Sequence, residues 1–157
     1  MLSIDLNCDM GEGMPTDAAI MPYISSVNIA CGAHAGDDTT MQRTVDLALK
    51  YNAAIGAHPG FADKINFGRT AMQLSGDAYY NLIRDQLFFL QRIVDAAGAT
   101  LHHIKPHGAL YNMSAKDNAL AGIIAKAAKD HSSTLIMYGL SKSYSISAAA
   151  ENGLRRS

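Results

Sequence analysis

Short apolar runs alternate along the chain with longer runs whose apolar residues recur at helical spacing. The short runs predict five strands, at residues 2–9, 26–32, 52–60, 100–108 and 133–139. A helical run follows each of the later strands. This alternation predicts βα units arranged around a parallel sheet.

The helices are predicted from their apolar stripes. The first carries Met41, Val45, Ala48 and Leu49, and Asp37 or Asp38 is its predicted N-cap. The longest is predicted to begin after Ser75 and to stop at Gly98, and its stripe comprises Tyr79, Leu82, Ile83, Leu87, Leu90, Ile93, Val94 and Ala97. A third is marked by Leu120, Ile123, Ile124, Ala127 and Ala128, and residues 141–152 form a last one.

Parallel strands joined by helices form either an open doubly wound sheet or a closed barrel. Polar residues fall at the ends of four different strands, which is how barrel enzymes assemble a site from several loops. No glycine-rich phosphate-binding motif is present. The pattern therefore favours a single β/α barrel domain over residues 1–157. Five units are too few to close such a barrel, so we expect its last strands to be missing.

The composition argues against several classes of binding partner. The 157 residues are 48% apolar with a formal charge of −1, which gives no basic surface for nucleic acid or for an anionic membrane. No apolar run approaches the ~20 residues of a membrane span, and the N-terminus lacks the pattern of a signal peptide. We expect a cytoplasmic protein with Cys8 and Cys31 as free thiols.

The first strand carries a polar row. Asp5, Asn7 and Asp9 share one face because side chains alternate along a strand. At ~3.3 Å per residue Asp5 and Asp9 lie about 13 Å apart, so both cannot contact one small reacting group. Asn7, Asp9 and Glu12 are therefore the favoured site residues, although such side chains also cap loops and neighbouring helices.

Two later strands end in histidines. His34 lies among small residues that let backbone approach a ligand, and His58 is followed by Pro59. Each could simply be a satisfied polar residue. On neighbouring strands, however, the two would converge with the acidic row at one mouth.

The stretch "HHIKPHGALYN" ends the fourth strand. Lys105 and His107 share a face with His103, whereas His102 faces the other way. Lys105 could stabilise a carboxylate or a developing oxyanion, and His107 could act as acid, base or ligand. Lys105 could equally form an ion pair with Asp5 or Asp9. Asn112 is more typical of local capping.

A metal site is only weakly indicated. No H-E-x-x-H and no paired cysteines are present, so a dispersed set such as Asp9, His34 and His58 would have to bind the ion. No G-x-S-x-G nucleophile motif is present either.

The four strand ends "DLNCDMGEG", "NIACGAHAGD", "GAHPGF" with "FGR", and "HIKPHGALYN" together resemble the LamB/YcsF family, whose members form the A subunit of prokaryotic ATP-dependent 5-oxoprolinase. The resemblance implies an irregular seven-stranded β/α barrel of the glycoside hydrolase and deacetylase kind. It also implies hydrolysis of 5-oxo-L-proline to L-glutamate with B and C subunits and consumption of ATP. The positions that match the family motifs are Asp5, Asn7, Asp9, Glu12, His34, His58, Arg69, Lys105, His107 and Asn112.

For this reaction we predict Asp9 as the base, Lys105 near the carbonyl or the substrate carboxylate, and His107 as the acid. We predict that the other motif positions bind the substrate, with His34 and His58 as orienting groups or ligands of a divalent metal; these positions are Asn7, Glu12, His34, His58, Arg69 and Asn112. Without a phosphate-binding loop, ATP is expected to bind to a different chain of the complex.

Two alternatives stay open: a metal-dependent hydrolase that acts alone on an N-acyl or carbohydrate substrate, and an inactive fragment that keeps a binding surface. Family members continue beyond the segment matching "ENGLRR", which is why strands are expected to be missing. Association into a homo-oligomer is compatible with each alternative.

Overall fold

The computed structural model of the protein describes residues 4–157. Within this range lies a parallel sheet of six strands: β1 (Asn7–Met10), β2 (Ser26–Ala30), β3 (Ala54–His58), β4 (Leu101–Ile104), β5 (Ile136–Met137) and β6 (Arg155–Arg156). The helices of the same range are α1 (Asp17–Ile20), α2 (Asp38–Lys50), α3 (Gly76–Ala96), α4 (Gly108–Ser114), α5 (Asn118–His131) and α6 (Tyr144–Glu151). A 3-10 turn, Met21–Tyr23, follows α1.

The strands lie side by side in chain order, from β1 to β6, and every neighbouring pair is parallel. A doubly wound sheet reverses its strand order at a switch point, whereas a barrel adds each strand beside the previous one. The arrangement is therefore barrel-like, as the polar strand ends predict. A seventh strand stays a prediction.

All five predicted strands are shorter in the structure than in the sequence prediction. The predicted first strand starts at residue 2, but β1 begins at Asn7, and residues 2 and 3 lie outside the described range. Strand β6 was not predicted. It has only two residues, both arginines, so it carries no apolar pattern by which a strand could be recognised.

The core lies between the sheet and the helices that cover it. Leu87, Leu90 and Val94 of α3 are fully buried, as the predicted stripe requires. Helix α3 also packs along α5, which turns Leu120 and Ile124 inward. Helices α2, α3 and α6 pack against the sheet, whose strands β2 and β3 are almost entirely buried.

Side chains fix where the helices begin. Asp37, one of two predicted candidates, accepts a hydrogen bond from the backbone N–H of Thr40 at 2.8 Å. Ser75 caps α3 as predicted, through the N–H of Ala78. No helix of the described residues is long and apolar enough to cross a membrane.

The loop between β3 and α3 is held by one buried amide. Gln86 of α3 accepts from the N–H of Gly60 at 3.0 Å and donates to the carbonyl of the same residue at 2.8 Å. Both backbone groups of Gly60 are thus satisfied by a helix side chain rather than by a strand. This contact anchors a loop that reaches the candidate site.

Candidate functional site

A polar ladder joins β1 to β2 on the inner side of the sheet. Asn7 is opposite Ser26 and Asp9 is opposite Asn28 in the strand register. The Asn28 amide nitrogen donates to Asn7 Oδ1 at 2.5 Å and to Asp9 Oδ1 at 2.6 Å, and Asn7 donates to Ser26 Oγ at 2.8 Å. Asn7 and Asp9 therefore share the inner face, as the alternation of the first strand predicts.

Lys105 reaches across from the end of β4 to this ladder. Its Nζ donates to Asp9 Oδ1 at 2.8 Å, and both side chains remain partly exposed. Burial alone would raise the pKa of Asp9, but the hydrogen bond and the positive charge of Lys105 hold the pKa far below its ordinary value. Asp9 is thus a carboxylate at neutral pH. The pair is the ion pair considered as one alternative for Lys105.

Backbone carbonyls fix the orientation of two buried histidines. Nδ1 of His58 lies 2.7 Å from the carbonyl oxygen of Lys105, and Nε2 of His107 lies 2.8 Å from that of Phe67. A carbonyl oxygen only accepts, so each of these ring nitrogens carries the proton. The other two nitrogens, His58 Nε2 and His107 Nδ1, face each other at 2.9 Å.

Glu12 and His34 complete this cluster. Glu12 Oε1 lies 3.4 Å from His34 Nε2, 3.4 Å from His107 Nδ1 and 3.8 Å from His58 Nε2. The rings of His34 and His107 stack with centroids 3.8 Å apart. One atom from each of the four residues lies within 4.8 Å of the others, so the group could hold a divalent metal ion. Asp9 is outside this group, although its Oδ2 lies 3.4 Å from His58 Nε2.

Two glycines of the β3–α3 loop make room for the stacked rings. A Cβ at Gly60 would lie 2.6 Å from His34 Nδ1, and a Cβ at Gly68 would lie 2.8 Å from His34 Cβ. Gly68 also has a φ of +63°, which side-chain-bearing residues rarely adopt. The loop can pack over the histidines only with glycine at these positions.

His103 lies behind the ladder and is neutral. Its Nε2 bonds Asn28 Oδ1 at 2.7 Å, and its ring stacks on Tyr138 with centroids 4.2 Å apart. Burial lowers the pKa of His103 to about 3, and the neighbouring His102 contributes in the same direction. A neutral ring that donates to Asn28 helps to hold the amide whose nitrogen faces Asp9.

This neutral ring predicts a pH dependence of stability. The unfolded chain takes up a proton at His103 near pH ~6.5, but the folded chain does so only at about pH 3. The stability that neutral His103 contributes is therefore complete above the unfolded pKa and is lost as the pH falls between these values. We expect His103→Gln to flatten the free energy of unfolding against pH by about 1.4 kcal/mol per pH unit between pH ~6 and ~4.

Urea unfolding of both proteins at a series of pH values measures this slope. Parallel curves for the wild type and His103→Gln would show that the folded ring titrates normally.

The remaining predicted residues are not members of the group formed by Glu12 and the three histidines. Asp5 bonds Ser25 at 2.5 Å and the Tyr138 hydroxyl at 2.8 Å, away from Lys105. Arg69 and Asn112 line a groove of about 430 Å³ that none of the four cluster residues lines. The substrate-binding roles of Arg69 and Asn112 stay predictions. The Arg69 guanidinium lies 5.3 Å from the centroid of the Phe67 ring, which in turn packs edge-on against His34 and His107.

The sequence prediction missed two residues of the site. Asn28 is a polar residue inside a buried parallel strand, two positions after Ser26, and that alternation was a readable signal. Gln86 lies within the apolar stripe of α3, beside Leu87 and one turn after Ile83. A polar side chain on a buried helix face needs a partner, which here is the Gly60 backbone.

Comparison with known proteins agrees with the motifs. A family model described as the LamB/YcsF family matches residues 4–157. Proteins of Tolumonas auensis and Bacillus cytotoxicus, both named as the A subunit of 5-oxoprolinase, are each 50% identical over 160 residues, which cover 99% of this chain and 64% of theirs. The chain thus spans less than two thirds of the length of these relatives.

A solved structure gives the same result. The crystal structure of a lactam utilization protein from Thermus thermophilus superposes with a TM-score of 0.96 at 38% identity, over 99% of this chain and 65% of that one. The motifs, the family model and this structural match agree, and the chain belongs to the LamB/YcsF family.

Proposed function

We propose that this chain is one component of an ATP-dependent 5-oxoprolinase, which opens 5-oxo-L-proline to L-glutamate together with B and C subunits in the cytoplasm. The main support is the 50% identity to two proteins that are named as the A subunit of 5-oxoprolinase. Such a name implies a complex with other chains. The site supports the same reading, because it sets an ionised acid and a cation side by side at the ends of the strands.

The reaction needs three groups. Water adds to the lactam carbonyl carbon, the carbon–nitrogen bond breaks, and the leaving nitrogen gains a proton. Asp9 is the base in this proposal, because it is ionised and partly exposed at the mouth. Lys105, bonded to Asp9 Oδ1, stabilises the carbonyl oxygen as it becomes negative, or the substrate carboxylate.

The proton for the leaving nitrogen is assigned to His107. Nε2 donates to the Phe67 carbonyl, and burial lowers the pKa of His107 to about 4, so the ring is neutral at pH 7. Nδ1 would therefore first take up the proton that Asp9 removes from water and then pass it to the leaving nitrogen. Glu12, His34 and His58 surround Nδ1 and would orient the substrate beside it. Asn7 acts indirectly, through the ladder that holds Asp9.

In this proposal ATP is used by the complex and is not bound by this chain. No glycine-rich phosphate-binding motif occurs in the sequence, so we place nucleotide binding on one of the partner chains. That partner would transfer the γ-phosphoryl group to the lactam oxygen. Addition of water and rupture of the carbon–nitrogen bond would then give an acyl phosphate of glutamate, and a second water would release phosphate and glutamate.

A second candidate has support from the cluster of Glu12 with three histidines. A metal-dependent hydrolase of the deacetylase kind would act alone on an N-acyl or carbohydrate substrate. Its activity would be abolished by a chelator and unaffected by ATP, which is opposite to the expectation for the complex.

Glutamate release from 5-oxoproline tests the proposal. The purified chain is mixed with B and C subunits of a relative, with ATP present or omitted, and His107→Ala is compared with His131→Ala. We expect release that needs ATP and all subunits, that is lost in His107→Ala, and that is kept in His131→Ala, because His131 lies on α5 and contacts Gln91 instead. Failure of the folded chain to release glutamate, where the A subunit of a relative succeeds under the same conditions, would contradict the proposal and indicate a chain that binds without turnover.

A further inference from the structure

Two lone pairs face each other in the cluster. The carbonyls of Lys105 and Phe67 hold the protons of His58 and His107 on the outer nitrogens, which leaves His58 Nε2 and His107 Nδ1 unprotonated in the neutral rings. These nitrogens lie 2.9 Å apart and would repel each other. A cation between or beside them removes the repulsion.

The charge of the cluster also favours a bound cation. Glu12 contributes a carboxylate that is only 14% exposed, and Lys105 is already paired with Asp9. The nearest contacts of Glu12 Oε1 are the nitrogens of His34, His58 and His107. A largely buried carboxylate among three imidazoles favours a positive ion as its partner.

We propose that Glu12, His34, His58 and His107 form a binding site for one divalent transition metal ion of the zinc type. With bonds of ~2.1 Å, a tetrahedral ion holds its ligand atoms about 3.4 Å apart. Four of the separations in the cluster are 2.9, 3.4, 3.4 and 3.8 Å. The rings of His34 and His107 are stacked with planes 2° apart, so one of them must turn out of the stack before both can point a nitrogen at the same ion.

The surroundings of the rings match those of metal-binding histidines. Such histidines donate their second N–H to a carboxylate, a backbone carbonyl or water, which fixes the tautomer and aims the free nitrogen at the ion. His58 and His107 each make this contact with a backbone carbonyl. His34 Nδ1 has no partner among the residues that the structure describes, so the third ring is held by stacking instead.

The ligand types select the metal. Three imidazole nitrogens and one carboxylate oxygen suit zinc and its neighbours, whereas magnesium and calcium prefer sites made wholly of oxygen. We therefore expect zinc to bind and magnesium not to compete.

The metal site does not depend on the proposed function, but it restricts it. An ion held by His107 Nδ1 would occupy the only nitrogen that can act as the acid. The two roles of His107 exclude each other, and the leaving nitrogen would then need another proton source.

Calorimetric titration of chelator-treated chain with zinc chloride tests the site without measuring activity. We expect one zinc ion per chain with a submicromolar Kd, unchanged in the presence of millimolar magnesium. Glu12→Gln keeps the shape and hydrogen-bonding ability of the side chain but loses the charge, and it should weaken binding at least 50-fold. His131→Gln, outside the cluster, should bind as the wild type does.

Cobalt provides a second readout that a structural role alone would not produce. Bound Co²⁺ should show the intense visible absorption of a four-coordinate ion in the wild type and lose it in Glu12→Gln, whose fold is checked by circular dichroism. Absence of zinc binding, or equal binding by the wild type and Glu12→Gln, would overturn the site. In that case a proton shared by His58 and His107 would be the cation, and the acid role of His107 would remain.

Discussion

Lys105→Met is expected to lower kcat/KM for ring opening about 100-fold or more in the assembled complex, in line with the loss of one oxyanion-stabilising donor. Lys105 Nζ is the cation bonded to Asp9, at 2.8 Å. Methionine keeps much of the length of the side chain but removes the charge. The variant therefore removes both the stabilisation of the developing oxyanion and the positive partner of the base.

The way in which the loss of kcat/KM divides between kcat and KM identifies which group of the substrate Lys105 contacts. A fall in kcat indicates the oxyanion, whereas a rise in KM alone indicates the substrate carboxylate. Lys64→Met is the matched control, since Lys64 is exposed and its Nζ lies 3.5 Å from the carbonyl of Gly36. A change in kcat/KM of less than about fivefold in Lys105→Met would remove this residue from the chemistry.

Gly56→Ala is expected to reduce the free energy of unfolding by about 3 kcal/mol, which is at the upper end for an overpacked core. A Cβ at this position would lie 2.1 Å from Nε2 of His103. The ring cannot easily move, because it is bonded to Asn28 and stacked on Tyr138. Displacing it would also leave the buried Asn28 oxygen without one of its donors.

Thermal unfolding measures this loss, and we expect Tm to fall by roughly 6–12 °C for a chain of this size. Gly122→Ala is the control, because no atom lies within 4 Å of a Cβ there, and within α5 it should stabilise the protein slightly. The double variant Gly56→Ala, His103→Ala removes the clash, so its loss of Tm should be smaller than the sum of the two single losses. Additive losses would show that His103 is not the residue that the new methyl group meets.

Much of the site could be predicted because it depends on strand periodicity. Alternation along β1 placed Asn7 and Asp9 on one face, and strand ends brought His34, His58 and His107 together. The hydrogen-bond pattern of the histidines could not be predicted. The orientation of His58 depends on the carbonyl of Lys105, 47 residues away along the chain, and that of His107 depends on the carbonyl of Phe67, 40 residues away. The ladder depends on Asn28, whose partners are set by the register between β1 and β2.

The choice of metal ligands shows the same limit of prediction from sequence. The sequence suggested the dispersed set of Asp9, His34 and His58, because it contains no H-E-x-x-H motif and no paired cysteines. The structure groups Glu12 and His107 with the two histidines and pairs Asp9 with Lys105. Glu12 lies in the loop after β1, and loop paths depend on packing rather than on a repeating pattern.

The contact between Gln86 and Gly60 has a consequence for protein engineering. The β3–α3 loop supplies the carbonyl of Phe67 to His107 and the space that His34 occupies, but a side chain of α3 holds its first turn. Grafting this loop onto another barrel would not transfer the geometry of the site. The smallest transferable unit is the loop together with α3 as far as Gln86, so a library that randomises the helix should leave that glutamine unchanged.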